Sequence, residues 1–101
     1  MSEAAIARHV IIYGRVQGVG YRAWVERMAL SRTLTGWVRN RRDGTVEAVF
    51  MGSEAQVVDA IAVCRQGPRS SAVEDVVARD ATEAECDEVR PSERFSVRPT
   101  A

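Results

Sequence analysis

Hydrophobic and polar positions recur along the chain with two different periods, and each change of period marks a new element. Residues 7–13, ARHVIIY, form a β-branched, apolar run that predicts a first strand. From Tyr21 to about Leu34 the spacing becomes helical. The apolar face of this helix comprises Trp24, Val25, Met28 and Ala29, and the charged face Glu26, Arg27 and Arg32. We expect Thr35-Gly36 to end it.

The next stretch, GWVRNRRDGTVEAVFMG, contains two alternating runs around Asp43-Gly44, a strong signal for a β-hairpin. A two-residue loop would place Asn40 on the face of Glu47, whereas a three-residue loop over residues 42–44 would place it on the other face. That other face carries the apolar residues Val46, Ala48 and Phe50. We therefore predict the three-residue loop, which also sets Arg39 opposite Glu47 and leaves Asn40 near the rim of the covered face.

The rest of the chain contains a second helix and two more strands. Ser53 is a good N-cap, and the helix is expected to stop at Gly67-Pro68. Its apolar face is predicted to be Val57, Val58, Ile61 and Ala62. Residues 72–81 read as a strand, the acidic run 81–93 as a solvated loop, and residues 95–99, FSVRP, as a short last strand. In that strand Phe95 and Val97 share one face.

The predicted order is β-α-β-β-α-β-β, without repeats or linkers. Strands interrupted by two helices favour an α/β sandwich with both helices on one face of the sheet. At 101 residues, with 46% hydrophobic and 28% charged residues, the chain is expected to form a single globular domain over residues 1–101.

Charge and cysteine content narrow the possible functions. Fourteen basic residues balance fourteen acidic ones, and a general nucleic-acid or membrane-surface role usually needs a basic excess. Cys64 and Cys86 lie far apart and outside any metal-ligand spacing, which favours two separate thiols and leaves a single disulfide open. No apolar run has the length of a membrane span, and the first residues do not resemble a secretion signal, so we expect a soluble cytoplasmic protein. We also expect it to act as a monomer.

Glycine is concentrated in the segment YGRVQGVGYRAW, which connects the first strand to the first helix. Glycine backbone lets main-chain N–H groups approach a ligand, and a loop running into a helix N-terminus is an anion site. The N–H groups concerned belong to Gln17, Gly18, Val19, Gly20 and Tyr21. The spacing matches neither the nucleotide P-loop nor the dinucleotide fingerprint. A group the size of one phosphate is the better fit.

Arg22 follows this loop at the start of the helix, where a cation is disfavoured by about 0.3–1 kcal/mol. A bound anion would reverse that sign, and a guanidinium fork suits phosphate oxygens. The alternative is a surface ion pair with Glu26, four residues on.

Asn40 is the second candidate. If the first helix crosses over on one side of the sheet, the first and second strands run in the same direction. Asn40 then lies at the same edge as the glycine loop, about 10 Å away with one strand inserted. A polar residue that satisfies backbone groups at the strand end is equally compatible with the spacing.

The segments GRVQGVGYR and GWVRNRRDGTVE resemble the signatures of the acylphosphatase family, and the likeness extends through GPRSSAV to the closing FSVRPT. The resemblance implies an α+β, ferredoxin-like sandwich: an antiparallel sheet of four to five strands covered on one face by two helices (β-α-β-β-α-β). It also implies a hydrolase that converts acyl phosphates to a carboxylate and inorganic phosphate. One departure is SRTL, which replaces a more usual glycine-containing helix end.

The same resemblance implies a role for each matching residue. Arg22 would bind the phosphate together with the main-chain N–H groups of residues 17–21, and Asn40 would orient the attacking water. Gly18 and Gly20 would keep the cradle open. No cofactor or metal is implied, and His9 is expected to be structural or to lie at the surface.

Two other functions are compatible with the predicted fold. A phosphate-binding regulatory module would need Arg22 and the loop, but it would have no use for a water-positioning amide at Asn40. RNA binding would need several aromatic side chains on a strand, and the third strand offers Phe50 alone. We therefore expect a small-molecule acyl phosphate as the substrate, with no nucleic acid or membrane partner.

Overall fold

The computed structural model of the chain describes residues 5–89 and 94–101. Within these ranges the chain forms five strands and three helices. The strands are β1 (Ala5–Arg15), β2 (Thr35–Asn40), β3 (Val46–Ser53), β4 (Ala72–Asp80) and β5 (Phe95–Val97). The helices are α1 (Tyr21–Ser31), α2 (Glu54–Gln66) and α3 (Glu83–Asp87).

The strands form one sheet in the order β4-β1-β3-β2-β5. β1 pairs antiparallel with β3 and β4, and β3 pairs antiparallel with β2. β1 and β2 therefore run in the same direction with β3 between them, as predicted. β5 joins β2 as a parallel neighbour, so the sheet is mixed at this edge. The predicted ferredoxin-like α+β fold is confirmed.

The main core lies between the sheet and the helices α1 and α2. Alternate residues of β1 and β3 point to one face, where they pack against apolar side chains of both helices. The fully buried members include Val10, Ile12, Val25, Val46, Phe50 and Val57. Phe50 stacks on Phe95 of β5 with ring centroids 5.7 Å apart, which fixes the edge strand to the core.

The hairpin between β2 and β3 has the predicted register. Arg39 lies opposite Glu47, and the N–H of Arg41 donates to the carbonyl of Thr45 at 2.9 Å. The loop is therefore residues 42–44, and Gly44 has a φ of 93°, in the left-handed region. Asn40 follows Val38 on the face that the helices cover.

The predicted end of the first helix is wrong by about three residues. α1 ends at Ser31, and Thr33 adopts a φ of 55°. The N–H of Leu34 then donates to the carbonyl of Ala29 at 3.0 Å, which closes the helix end in the way a left-handed glycine usually does. Thr35 and Gly36 already belong to β2. Val25, Met28 and Ala29 are buried as predicted, whereas Trp24 is half-buried at the edge of that face.

The predicted face of the second helix needs a correction. Ser53 is the N-cap, since its hydroxyl accepts from the N–H of Gln56 at 3.3 Å. The buried side chains of α2 are Val57, Ala60 and Cys64, whereas Val58 is 56% exposed and Ala62 is exposed. On α2 the packing against the sheet selects the i, i+3, i+7 stripe, and Val58 and Ala62 lie outside it.

The acidic run predicted to be a loop contains α3. Thr82 caps this short helix, and Glu85 completes a capping box by accepting from the N–H of Thr82. The indole N–H of Trp37 donates to the carbonyl of Glu85 at 3.1 Å. Since Trp37 alternates with Val38 along β2, α3 lies against the sheet face opposite α1 and α2. The end of the predicted loop, residues 90–93, lies outside the described residues.

Candidate active site

A pocket of about 240 Å³ opens where the β1–α1 loop meets the end of β2 and the edge strand β5. The residues around it include Gln17, Gly18, Gly20, Arg22, Asn40 and Val97. The glycine loop, the arginine and the asparagine therefore share one pocket, which follows from the common direction of β1 and β2.

The loop has an alternating backbone conformation. Gly18 and Gly20 have φ values of 75° and 78°, whereas Gln17 and Val19 have negative φ. Such alternation turns successive N–H groups towards a common hollow that suits an anion. Among residues 5–89 and 94–101, the N–H groups of residues 17–20 donate to no protein acceptor. A Cβ built on Gly18 or Gly20 would meet no atom within 4 Å. Glycine is therefore favoured at these positions by the positive φ and not by close packing.

Two hydrogen bonds anchor the loop and the start of α1, one at Val19 and one at Tyr21. The carbonyl of Val19 accepts a hydrogen bond from the Ser70 hydroxyl at 3.0 Å. The ring of Tyr21 is buried in the core, and its hydroxyl donates to the carbonyl of Cys64 at 2.8 Å. The Val19 bond thus attaches the loop to the α2–β4 connection, and the Tyr21 bond attaches the start of α1 to the last turn of α2.

Arg22 projects from the first turn of α1, which contains no acidic residue. Its side chain is half-buried, and its Nη1 lies 3.5 Å from the carbonyl of Arg98. In the described parts of the chain it forms no ion pair, so the alternative pairing with Glu26 is not observed. The guanidinium and the helix N-terminus leave the pocket with uncompensated positive charge.

Asn40 presents an unused acceptor to the same pocket. Its Oδ1 is buried and has no hydrogen-bond partner among the described residues. Its main-chain carbonyl accepts from the N–H of Ala101 at 3.0 Å. The side chain of Asn40 therefore does not satisfy backbone groups at the strand end, which was the alternative to a catalytic role. A buried acceptor without a partner costs about 1–3 kcal/mol, which a bound water or ligand would recover.

Two contributors to the site were not predicted from the sequence. One is the side chain of Gln17, whose Nε2 donates to the carbonyls of Arg41 and Thr45 at 2.7 and 2.8 Å. The other is the segment after β5, which continues beside β2. The N–H of Arg98 donates to the carbonyl of Val38 at 2.8 Å, and the N–H of Arg42 donates to the carbonyl of Ala101 at 2.9 Å. No local pattern in the sequence indicates either contact.

A separate cluster of metal-ligand side-chain types lies on the opposite face of the sheet. One ligand atom each from His9, Glu47 and Glu85 lies within 4.8 Å of the others. The carboxylate of Glu47 bridges His9 Nε2 at 2.6 Å and Arg39 Nε at 2.8 Å, and Glu85 pairs with Arg79 at 2.8 Å. Arginines already engage both carboxylates, so we interpret the cluster as an ion-pair network with a buried, structural His9.

These contacts change the acidity of both carboxylates. Burial acts to raise the pKa of Glu47, but hydrogen bonds from His9 and Arg39 outweigh it and hold that pKa below its usual range. For Glu85, the hydrogen bond from Arg79 is the main cause of a pKa lowered to about 2.

Both cysteines are free thiols, which resolves the disulfide left open above. Cys64 is buried in the core, and that burial raises its pKa to about 12, so its thiol is unreactive at neutral pH. Cys86 is half-buried on α3. Among the residues described, none of the helices has the length and apolar character needed to cross a membrane.

Comparison with known proteins agrees with the fold. The family model for acylphosphatase matches residues 8–96. An acylphosphatase of Bradyrhizobium diazoefficiens is 54% identical over 100 residues, covering 99% of both chains. The solved acylphosphatases from Coxiella burnetii and Bacillus subtilis superpose with TM-scores of 0.81 and 0.79, at 32% and 34% identity. They align over 93% and 92% of this chain and over 93% and 98% of their own.

The chain belongs to the acylphosphatase family. It is a hydrolase of acyl phosphates, as the resemblance of the two motifs implied, and the alternative of a regulatory module without turnover is not favoured.

Proposed function

We propose that the protein hydrolyses acyl phosphates in this pocket, where the β1–α1 loop binds the phosphoryl group and Asn40 orients the water. The phosphoryl group binds to the N–H groups of residues 17–21 and to the guanidinium of Arg22. Asn40 accepts a hydrogen bond from the attacking water through Oδ1 and holds it in line with the phosphorus. The observation that carries this proposal is the unpartnered, buried Oδ1 of Asn40 in the same pocket as Arg22.

The chemistry of the substrate makes this small set of groups sufficient. The water oxygen forms a bond to phosphorus while the bond from phosphorus to the acyl oxygen breaks, and the carboxylate leaves with the electron pair. A carboxylate is a good leaving group, so little general acid catalysis is needed. The water proton passes to a phosphate oxygen of the substrate. The remaining task is to orient the water and to stabilise the equatorial phosphoryl charge with fixed donors.

The neighbouring elements supply the preorganisation that such a mechanism needs. The Ser70 and Tyr21 hydrogen bonds anchor the loop, and the carbonyl of Arg98 lies beside the guanidinium of Arg22. The N–H of Ala101 holds the main chain at Asn40. We further propose that the chain acts as a monomeric single domain in the cytoplasm on a small-molecule substrate, without a nucleic acid partner; its zero net charge supports the last point.

The proposal is tested by hydrolysis of benzoyl phosphate in the presence of a chelator. We expect metal-independent turnover by the wild type and a loss of at least ~100-fold in kcat for both Arg22→Ala and Asn40→Ala. Arg22→Ala should also weaken competitive inhibition by inorganic phosphate, whereas Asn40→Ala should leave that inhibition unchanged. Arg27→Ala, an exposed arginine on the same helix, is the matched control.

Two outcomes would contradict the assignment. Full kcat in the Asn40→Ala variant would remove its role with the water. A folded wild type that binds phosphate without turnover would favour the regulatory module.

A further inference from the structure

Gln17 joins the β1–α1 loop to the end of the strand that carries Asn40. Its Nε2 donates two short hydrogen bonds, to the carbonyl of Arg41 at 2.7 Å and to that of Thr45 at 2.8 Å. The two acceptors lie 24 and 28 residues after Gln17 in the sequence. Gln17 is half-buried and Thr45 is buried, so water competes poorly for either bond.

The two acceptor carbonyls belong to the closing pair of the hairpin. The carbonyl of Arg41 also accepts from the N–H of Gly44 at 3.1 Å, and that of Thr45 accepts from the N–H of Arg41 at 2.9 Å. Each carbonyl has two lone pairs, so one serves the hairpin and the other serves Gln17. Because Arg41 directly follows Asn40, the contact lies one residue from the pocket amide.

The other contacts of the loop and the adjoining first turn of α1 lead away from the hairpin. The carbonyl of Val19 bonds to Ser70, the hydroxyl of Tyr21 bonds to Cys64, and the guanidinium of Arg22 lies near Arg98. Within residues 5–89 and 94–101, the side-chain hydrogen bonds between residues 16–22 and the hairpin come from Gln17. Beside the sheet pairing of β1, β3 and β2, this amide is therefore the direct hydrogen-bonded link between the loop and the strand end that carries Asn40.

We propose that Gln17 is a positioning residue whose side chain sets the distance between the phosphate-binding loop and Oδ1 of Asn40. This inference rests on the proposed roles of Arg22 and Asn40. Without the amide, the N–H groups and Arg22 still bind phosphate, but the water held by Asn40 loses its alignment with the phosphorus. A misplacement of about 1 Å at a reacting centre costs about 100-fold in rate.

The test is Gln17→Met, which keeps the length and approximate volume of the side chain but removes the donor. We expect kcat for benzoyl phosphate to fall about 10- to 100-fold, while the inhibition constant of inorganic phosphate changes by less than about threefold, since the groups that bind it remain. Gln66→Met, the same change at an exposed position at the end of α2, should leave both values unaltered.

A double-mutant cycle separates positioning from a general structural effect. In the Asn40→Ala background, Gln17→Met should change kcat little, because no amide remains to be positioned. Equal losses in both backgrounds, or a phosphate inhibition constant that rises in step with the loss of kcat, would overturn the inference. If Gln17→Met does not fold, the same double-mutant cycle can be measured with Gln17→Asn. That variant keeps the amide but shortens the side chain by one methylene.

The result is distinguishable from a failure of the proposed function. If Asn40→Ala loses kcat and Gln17→Met does not, the inference about Gln17 alone is wrong. If Asn40→Ala keeps its kcat, the proposed role of Asn40 is wrong, whatever Gln17→Met shows.

Discussion

The hydroxyl of Tyr21 donates to the backbone carbonyl of Cys64 at 2.8 Å and thereby joins the start of α1 to the end of α2. In an unbroken helix that carbonyl would accept from residue 68, but residue 68 is a proline and has no N–H. Tyr21 therefore satisfies an acceptor that the helix end leaves without a partner. Since Arg22 is the next residue, the same bond orients the first turn of the helix that carries the proposed phosphate ligand.

Replacing this tyrosine should affect stability more than activity. Tyr21→Phe keeps the buried ring but leaves the Cys64 carbonyl unsatisfied, so we expect the free energy of unfolding to fall by about 1–3 kcal/mol. The kcat should fall too, but by no more than about fivefold, because the loop loses one anchor while its main chain keeps the glycine conformation and the bond to Ser70. Urea unfolding and a benzoyl phosphate assay measure the two effects. Tyr13→Phe, at a side chain 41% exposed, is the control and should change neither.

The left-handed Thr33 at the end of α1 predicts a stabilising substitution. A β-branched residue with a φ of 55° is strained by about 1–2 kcal/mol, and glycine removes that strain. Glycine also adds about 0.5–1 kcal/mol of unfolded-state entropy, so Thr33→Gly should raise the free energy of unfolding by a net amount of about 0.5–1 kcal/mol. Thermal and urea unfolding test this. Thr35→Gly, in β2, should be destabilising instead, and a lower stability for Thr33→Gly would contradict the strain argument.

The glycine at position 36 should tolerate no side chain. A Cβ at Gly36 would lie 1.8 Å from the carbonyl oxygen of Val49, at a φ of 137°. Gly36→Ala must then push β2 away from β3, and we expect it to cost about 3 kcal/mol or more. Gly44→Ala separates the two causes, because Gly44 has positive φ but open space around it. It should cost only about 1 kcal/mol, and equal costs at both sites would refute the clash.

The ion-pair network on the face opposite the pocket predicts an acid-sensitive stability. The ordinary pKa of Glu85 is 4.5, and in the folded protein it is lowered to about 2. A depressed carboxyl pKa contributes stability that is fully present above the unfolded value and is lost as the pH falls from about 4.5 to about 2. The lowered pKa of Glu47 acts in the same direction.

Glu85→Gln tests this linkage. The variant should be less stable than the wild type at pH 7 and should show a shallower decline in the free energy of unfolding between pH 4.5 and 2, measured by urea unfolding at each pH. Glu83→Gln, an exposed residue on the same short helix, is the control and should follow the wild-type curve. Parallel curves for the wild type and Glu85→Gln would exclude the linkage.

Local signals carried most of the correct predictions. Asp43-Gly44 located the hairpin, and the alternation of apolar residues selected its three-residue loop and so placed Asn40 on the covered face. The same alternation, with a crossover helix, was enough to place the glycine loop and Asn40 at one edge. The end of α1 was predicted wrongly because Thr33, not a glycine, adopts the left-handed conformation that closes the helix.

Two of the failures depend on distant parts of the chain. Val57 and Val58 are equally apolar, and only the contacts of α2 with the sheet decide which of them is buried. The bonds of Gln17 depend on the register of a hairpin more than 20 residues away. For α3 a signal did exist: Thr82 and Glu85 have the spacing of a capping box, but the acidic surroundings made the run look like a solvated loop.

The strand order β4-β1-β3-β2-β5 also has a kinetic consequence. Among the strand pairings in the described residues, only that of β2 with β3 is local, with Arg39 and Glu47 eight residues apart, whereas Arg8 and Asp80 are separated by 72. Closing long loops is slow, so the hairpin that carries Asn40 can form well before β1 acquires its second neighbour. The loop between β1 and α1 can take its final shape only after the long-range pairings are complete. Catalytic competence should therefore be among the last properties that a refolding chain regains.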